Sequence, residues 1–392
     1  MKPLACLLAF FASCASFAGA QQTWIVDAAN GVGAHFLDVP PALAAASDGD
    51  TILVRAGFYS NAVTSRGVTL LGEGSPTLVA GPAGVGFDTR AVLLNGLPRG
   101  RSFVMRGFRL SGGTYSIGAE IRSCAGHVVL ADLDVSTAFS GQSVQITSSA
   151  DVTIVRSSLR SGASVHSSTV AFRETHCRGQ AAFAWPSGAI VVYANSGLSA
   201  ISSDVSICGG SFTGGAGILP GSPDQPGAAF SSCTTRIVAG RGIAFTAGAA
   251  TGVPTAAIVA EAGTLDLEPS ITANVSGTAT ITRRVISALH VAPTALGTTL
   301  TLELTTAPLD AYQLFASALV DAQVHPELGA LWLDTQAYVF LRAGLADASG
   351  RASTPLAIPL DPLLRGAAIR VQALHRGALG LGLGEPTIAV LY

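Results

Sequence analysis

The chain has 392 residues, of which 49% are hydrophobic and only 12% are charged. Soluble domains average about 25% charged residues, whereas here Gly (45 residues), Val, Ile and Thr dominate, which favours an all-β fold with many turns over a helical one. The formal net charge of −2 implies no basic face, so nucleic acid is not expected as a partner.

The first 20 residues predict a secretory signal peptide. One positive charge, Lys2, precedes an apolar run that ends in small residues at positions 18–20, and cleavage is expected before Gln21. Lipoprotein processing at Cys14 is the alternative, although the residues before it make a poor lipobox. No later stretch is long and apolar enough to span a membrane. We therefore expect a secreted or cell-surface protein with no transmembrane helix in the mature chain.

The next segment reads as a strand followed by a short helix. Residues 24–27 form the strand, and residues 38–46 predict a helix with Asp38 as its N-cap and two prolines in its first turn. A second strand follows the turn at residues 48–50. An apolar helix at this point would cover the open end of a solenoid, which otherwise exposes a sheet edge.

Five segments between residues 103 and 212 repeat one apolar pattern, in which two apolar residues alternate and a third follows five positions after the second. The copies begin at Phe103, Val128, Val152, Val170 and Val205, and a weaker copy begins at Val68. The alternation is strand periodicity and the gap predicts a corner, so recurrence at about every 20–25 residues predicts the coils of a β-solenoid. The last step, of 35 residues, needs an insertion, which residues 178–202 supply.

A strand, a capped helix, an Asp-Gly-Asp turn and a Gly-Phe-Tyr segment follow one another up to residue 59. The stretch at 38–59 resembles the N-terminal end of right-handed β-helix proteins of the pectin-lyase-like superfamily, and the coils to about residue 277 are consistent with it. The resemblance implies a right-handed parallel β-helix with an N-terminal capping helix. It does not specify an activity, because many members of the superfamily have no known catalysis.

The pattern changes after about residue 286. Clean alternation at residues 299–304 and 369–373, with shorter runs between them, predicts about seven strands and an antiparallel β-sandwich. This part loosely resembles the C-terminal accessory domains of large exported bacterial proteins. The predicted organisation of this all-β chain is a signal peptide at 1–20, a parallel β-helix at 21–285 and a small β-sandwich accessory domain at 286–392.

Aligning the five copies predicts which outward side chains lie above one another, because the coils of a solenoid stack at about 4.8 Å. Asp132, Arg156 and Glu174 share one position of the repeat and are expected to form a ladder of alternating charge. Asp134 and His176 share a second position, which Arg109, Ser158 and Ser211 also occupy.

The resemblance implies a catalytic hypothesis for these residues, because lyases and hydrolases of this fold place carboxylates and Arg on an exposed parallel sheet. Two carboxylates about 6.5–9.5 Å apart suit inverting glycoside hydrolysis, for which Asp132 with Asp134 or Glu174 is the candidate pair. A lyase would use Arg156 as its base, with calcium as cofactor; otherwise no cofactor is expected. The alternative is a ladder of paired charges on a solvated face. The catalytic motifs and calcium cluster of the family are missing from the sequence.

Other candidates are isolated residues. Trp185, in an extended loop, is a candidate for stacking on a sugar ring, and His176 is a second candidate ligand-binding residue. Cys208 and Cys233 lie 25 residues apart, about one coil, so they are a candidate disulfide pair. The cysteines and histidines lack metal-ligand spacing, so no metal site is expected.

Three functions are compatible with the sequence. The favoured one is an exported non-catalytic β-helix protein that offers an extended surface for contact with a glycan or the cell envelope, because the catalytic signals are weak. The alternatives are a polysaccharide lyase or glycoside hydrolase of the pectin-lyase-like type, and a purely structural envelope component. The expected partner is a polysaccharide or cell-surface glycan.

Overall fold

The computed structural model describes most of the chain after residue 20. The described residues are 21–80, 89–112, 116–138, 141–184, 191–192, 194–217, 224–249, 255–292, 294–317, 323–325, 329–331, 338–377 and 380–392. The predicted signal peptide, with Cys14, and the candidate Trp185 lie outside this set.

The described chain is nearly all β and divides into two compact units. One unit is Gln22–Arg283, in which 23 strands pair in parallel, and the other includes Arg284–Tyr392, in which small sheets are antiparallel. The predicted fold class, a parallel β-helix with a capping helix followed by a small antiparallel β region, is confirmed.

The capping helix spans Val39–Ala45. Asp38 is its N-cap, and one oxygen of this carboxylate accepts the backbone N–H of Val39 at 2.8 Å and that of Ser60 at 2.9 Å. Two prolines occupy the first turn, where no intrahelical N–H donor is required. Val39, Ala42 and Leu43 of the helix are buried in the core of the β-helix, so this helix covers the hydrophobic interior as predicted.

Asp50, in the Asp-Gly-Asp turn, joins the first two strands. Its carboxylate accepts the backbone N–H of Gln22 at 2.9 Å and of Ser47 at 2.8 Å, and the indole N–H of Trp24 at 3.2 Å. Each of these donors would otherwise need a partner at the end of the sheet. This one buried carboxylate therefore helps to hold the first strand against the second.

The unit Gln22–Arg283 winds through three parallel sheets, which we call A, B and C in the order in which each coil reaches them. Sheet A contains Thr23–Val26, Thr51–Val54, Thr69–Gly72, Ser102–Arg106, His127–Ala131, Asp151–Val155 and Thr280–Arg283. Sheet B contains Phe58–Tyr59, Thr77–Val79, Arg109–Gly112, Asp134–Thr137 and Ser158–Leu159. Sheet C contains Ala62–Thr64, Arg90–Asn95, Ile117–Arg122, Gln142–Thr147, Ala163–His166, Leu198–Ile201 and Val275–Ser276.

Four long strands pass a corner without a break and belong to more than one sheet. Thr169–Arg178 and Asp204–Thr213 run from sheet A into sheet B, Ala228–Thr246 runs from sheet C through A into B, and Ile258–Leu267 runs from C into A. The insertion expected between residues 178 and 202 contains an antiparallel pair of short strands, Phe183–Ala184 with Val191–Val192.

The interior is built from vertical columns of apolar side chains. Leu130 is the register partner of Ile154, which is in turn the partner of Phe172, and all three are fully buried. The fifteen apolar residues of the five repeat copies are each at most 2% exposed. Burying one such side chain contributes about 1.5–3 kcal/mol, so the repeated triplets supply the main stabilisation of the coils.

A single residue with left-handed backbone geometry turns the chain from sheet A to sheet B in successive coils. These residues are Gly107, Asp132, Arg156, Glu174 and Gly209, with φ of 78°, 52°, 45°, 49° and 70°. Left-handed geometry costs a non-glycine residue about 1–2 kcal/mol. The three charged residues at this corner therefore require contacts that offset the cost.

The corner between sheets C and A is built from serines. In successive coils the left-handed position is occupied by Ser123, Ser148, Ser167, Ser202 and Ser232. The residue that follows is a buried serine in three coils, and the backbone N–H of Ser149 donates to Ser168 Oγ at 3.0 Å, as that of Ser168 does to Ser203 Oγ at 3.1 Å. These hydroxyls satisfy backbone donors where the corner interrupts the sheet.

The second unit contains antiparallel sheets around one core. Three strands, Ala288–Val291, Thr299–Thr305 and Arg351–Ala357, form one sheet, and Tyr338–Leu345, Ala311–Ser317, Ala368–Gly377, Gly380–Leu383 and Thr387–Val390 form another. A short pair, Gln323–His325 with Gly329–Leu331, and a 3₁₀ turn at Pro362–Leu364 complete the described elements. Alternate residues such as Leu300, Leu302 and Leu304 face the shared core, which explains the alternation in the sequence.

Candidate functional site

The candidate charges meet at the corner between sheets A and B. Asp132 accepts Arg156 Nε–H at 2.8 Å and Arg156 Nη2–H at 3.3 Å, and it also accepts Arg106 Nε–H at 2.6 Å. The side chains of Asp132, Arg106 and Arg156 are 25%, 12% and 13% exposed. The predicted pairing of Asp132 with Arg156 is present, and the second guanidinium, from Arg106, is an addition that the repeat alignment did not indicate.

The outer face of sheet B carries the second set of candidates. Arg109 is the register partner of Asp134, Asp134 of Ser158, Ser158 of His176, and His176 of Ser211, as the alignment of the copies predicts. A parallel column beside this one contains further polar residues. We call these two columns together the sheet B face; its residues are Arg109, Ser111, Asp134, Ser136, Ser158, Arg160, His176, Arg178, Ser211 and Thr213.

Two pairs on this face are hydrogen-bonded. Asp134 forms a two-pronged ion pair with Arg160, whose Nε and Nη2 each lie 3.0 Å from a carboxylate oxygen. His176 Nδ1 lies 2.8 Å from Ser211 Oγ. Arg160 reaches Asp134 diagonally from the next coil, whereas the vertical neighbour Arg109 lies beside Asp134 in register. All ten residues of the face are exposed or half-buried.

Of the remaining two candidate site residues, Glu174 and Trp185, the structure describes only Glu174. Glu174 occupies the left-handed corner position above Arg156 and is half-buried. Trp185 lies outside the described residues, as do the rest of residues 185–190 and residues 218–223. Among the described residues, the candidates therefore lie along one corner and one flat sheet.

The expected disulfide between Cys208 and Cys233 is wrong in this structure, since both cysteines are free and buried, as are Cys124 and Cys177. Cys208 ends its sheet A strand opposite Val238, whereas Cys233 precedes the sheet A segment of the next coil. The two therefore lie about five residues apart along the strand direction, which is about 16 Å. A spacing of one coil is not sufficient, because the two residues must also occupy the same position within the coil.

The outer face of sheet A is buried in its central coils, which the repeat pattern did not reveal. Val104 and Val129, which point away from the β-helix core, are at most 3% exposed. Among these outward positions, His127 Nδ1 lies 2.6 Å from Asp151 Oδ2, and both residues are buried. The central coils of this sheet, at 127–131 and 151–155, therefore present no open solvated row of carboxylates.

A chain of polar side chains lies inside the second unit. Ser287 Oγ and Thr306 Oγ1 are 2.6 Å apart, and the Thr306 hydroxyl donates to Asp310 Oδ2 at 3.0 Å. His375 Nδ1 lies 3.6 Å from the same Asp310 oxygen. Burial lowers the pKa of His375, and the Asp310 carboxylate opposes this shift. Ser287 is 1% exposed, so this arrangement lacks an accessible nucleophile.

The described residues contain no group of three or more His, Cys, Asp or Glu side chains arranged to hold a metal ion. Their helices include none with the length and apolarity required to cross a membrane.

Comparison with solved structures shows a likeness to a phage tailspike protein. The tailspike protein gp49 from Pseudomonas phage LKA1 is similar over 79% of this chain at 12% sequence identity, with a TM-score of 0.28. The matched region spans 61% of the length of that tailspike chain. No protein-family model matches this chain, and no curated protein matches its sequence.

Proposed function

We propose that this protein is an exported, non-catalytic β-helix protein that holds a glycan chain along the sheet B face. The observation that carries the proposal is the pair of polar columns on parallel sheet B, in which ten hydrogen-bonding side chains recur at the coil spacing; nine lie on strands and Arg160 lies in the turn directly after one. A polymer of repeating units meets equivalent groups at about 4.8 Å intervals on such a surface. Side chains on regular strands are also held in place more firmly than those on loops.

The state of the carboxylates supports a binding role. Both oxygens of Asp132 are engaged by guanidinium groups of Arg106 and Arg156, and both oxygens of Asp134 are engaged by Arg160. A general acid or base must reach the proton of a bound substrate through a hydrogen bond. The carboxylates of Asp132 and Asp134 already accept hydrogen bonds from arginine side chains of the protein. These hydrogen bonds stabilise the fold but oppose a role for either carboxylate as a general acid or base.

Export and family membership form part of the same proposal. The apolar leader ending at residue 20 supports secretion, and the order of strand, capped helix and Asp-Gly-Asp turn supports membership of the pectin-lyase-like superfamily with a right-handed coil. The unit that begins at Arg284 would then serve as a β-sandwich accessory domain.

A polysaccharide lyase or glycoside hydrolase is the second candidate. The observation that favours it is the concentration of Asp132, Asp134 and three arginines around a single corner. In this case Asp132 and Asp134 would act as the carboxylate pair, or Arg156 as the base.

A binding assay with a blocked face tests the proposal. Ser158 points outward at the centre of the sheet B face, so Ser158→Trp would obstruct a bound chain, whereas Ser199→Trp makes the same change on the outer face of sheet C. On an immobilised panel of neutral and acidic polysaccharides, the wild type and the sheet C variant are expected to bind at least one member equally. Ser158→Trp should weaken that binding about tenfold or more.

Two results would oppose the proposal. Equal binding by both tryptophan variants would place the glycan elsewhere. Release of reducing or unsaturated ends from any panel member, abolished by Asp132→Asn or Arg156→Gln, would replace a binding function with catalysis.

A further inference from the structure

The sheet B face is positive in a chain that is negative overall. The whole sequence has 22 Lys and Arg residues against 24 Asp and Glu residues. The ten residues of the face include three arginines, Arg109, Arg160 and Arg178, and one carboxylate, Asp134. Stacking of the coils therefore concentrates positive charge on the sheet B face, and the net charge of the whole sequence does not indicate this.

Two of these arginines have their guanidinium groups available. Arg160 is committed to Asp134 through two hydrogen bonds of 3.0 Å. Arg109 and Arg178 are exposed, and neither guanidinium group forms a hydrogen bond or ion pair with any residue that the structure describes. An exposed guanidinium presents a planar set of donors that matches a carboxylate or sulfate group.

The distance between Arg109 and Arg178 along the solenoid favours an extended ligand over a small one. Arg109 and Arg178 are separated by three coil steps, because Asp134 and Ser158 lie between Arg109 and His176 in the register. At about 4.8 Å for each step, the two groups lie about 14 Å apart along the solenoid. A single small anion cannot contact both, whereas a chain with several anionic groups can.

The side chains between the arginines favour a sugar polymer over a nucleic acid. Hydroxyl groups of Ser111, Ser136, Ser158, Ser211 and Thr213 occupy half of the face. Hydroxyls donate and accept hydrogen bonds, as sugar hydroxyls do. None of the ten residues is Phe, Tyr or Trp, the large aromatic side chains on which the bases of single-stranded nucleic acids commonly stack.

We infer that the occupant of the sheet B face is an acidic polysaccharide whose anionic groups pair with Arg109 and Arg178. This inference rests on the proposed function and adds the chemical class of the glycan. The Asp134–Arg160 pair fixes the centre of the face and the hydroxyls bind the sugar rings between the charges.

The test compares arginine variants on three probes: a soluble polyuronate, neutral dextran of similar length and single-stranded oligothymidylate. Arg109→Gln and Arg178→Gln should each weaken binding to the polyuronate about fivefold, and the double variant about 25-fold. The double Lys variant retains charge and should lie between the wild type and the double Gln variant. Arg342→Gln removes an exposed arginine of the other unit and should leave binding unchanged.

Salt dependence adds a second readout. Binding of the wild type to the polyuronate should weaken as salt rises, and the double Gln variant should lose most of this dependence, because fewer ionic contacts release counterions. All substituted residues are exposed, so circular dichroism and thermal melting of the variants should match the wild type.

The outcomes separate the inference from the proposed function. Dextran bound as tightly as polyuronate, with no effect of the double Gln variant but loss in Ser158→Trp, would overturn the acidic class and keep the glycan surface. Oligothymidylate bound as tightly as polyuronate would overturn the assignment to a glycan. No binding of any polysaccharide would remove the proposed function itself.

Discussion

Replacing Asp132 by Asn removes the carboxylate that holds two guanidinium groups together at the corner between sheets A and B. Asn is nearly isosteric and tolerates the left-handed backbone found here, so the substitution isolates the charge. Arg106 and Arg156, which are 12% and 13% exposed, would then lose the carboxylate that pairs with both of them. Breaking a buried ion pair costs about 3–5 kcal/mol and an exposed one about 0.2–1 kcal/mol, so this half-buried pair should cost about 2 kcal/mol.

Asp134→Asn is the matched control. It removes a carboxylate of the same type two residues away, but its partner Arg160 is 61% exposed, so the expected loss is about 0.5 kcal/mol. Unfolding in urea, which does not screen charges, measures both free energies. A loss for Asp132→Asn no greater than that for Asp134→Asn would refute the view that the ion pairs of Asp132 offset the strained corner.

Three further predictions concern other parts of the chain. Burial lowers the pKa of His375 from 6.5, so the unfolded chain binds a proton at a higher pH than the folded unit does. The stabilisation of this unit by the neutral His375 should therefore be complete above about pH 6.5 and decrease below it. In thermal melts, His375→Gln should flatten this dependence on pH. Gly118→Ala should lower the free energy of unfolding by about 2 kcal/mol or more, because an added Cβ overlaps core and backbone atoms. Gly96 has open space around it, so Gly96→Ala should lower the free energy of unfolding by only about 1–2 kcal/mol, through its positive φ. Equal losses in the two variants would contradict the tight packing at Gly118. Burial raises the pKa of the Cys177 thiol, and it and the other three cysteines after residue 21 should react with a thiol reagent only after unfolding; fast labelling of the native protein would contradict their burial.

The sequence predicts the interior of the β-helix well because burial and periodicity act together there. Leu130, Ile154 and Phe172 occupy the same position of a repeated apolar triplet that recurs at the coil length, so their vertical order follows from the pattern. The capping helix is equally predictable, since Asp38 and two prolines mark its start by local chemistry.

Side-chain partners on the surface are less predictable because a long side chain reaches beyond its own register position. The alignment places Arg109 level with Asp134, yet the carboxylate is held by Arg160 from a diagonal position. Asp132 also gains Arg106, the last residue of a sheet A strand, as its second partner.

The basic character of the sheet B face could not be predicted from the overall composition either. Composition sums charges over the whole chain, whereas Arg109 and Arg178 meet on one face only after three coils have stacked. The buried outer face of sheet A has the same origin, because an outward position such as Val129 reads as one more apolar residue within a strand.

The stacking register is the central claim, and disulfide trapping between adjacent coils tests it most directly. Ser158 and His176 are register partners that point outward, so their Cα atoms should lie about 4.8 Å apart, within the range that a disulfide spans. The double variant Ser158→Cys, His176→Cys should therefore form an internal disulfide under mild oxidation, detected by mass spectrometry of the linked peptides. Ser158→Cys with Arg178→Cys, displaced by two residues along the strand, should stay reduced; a bond in this second pair, or none in the first, would contradict the account.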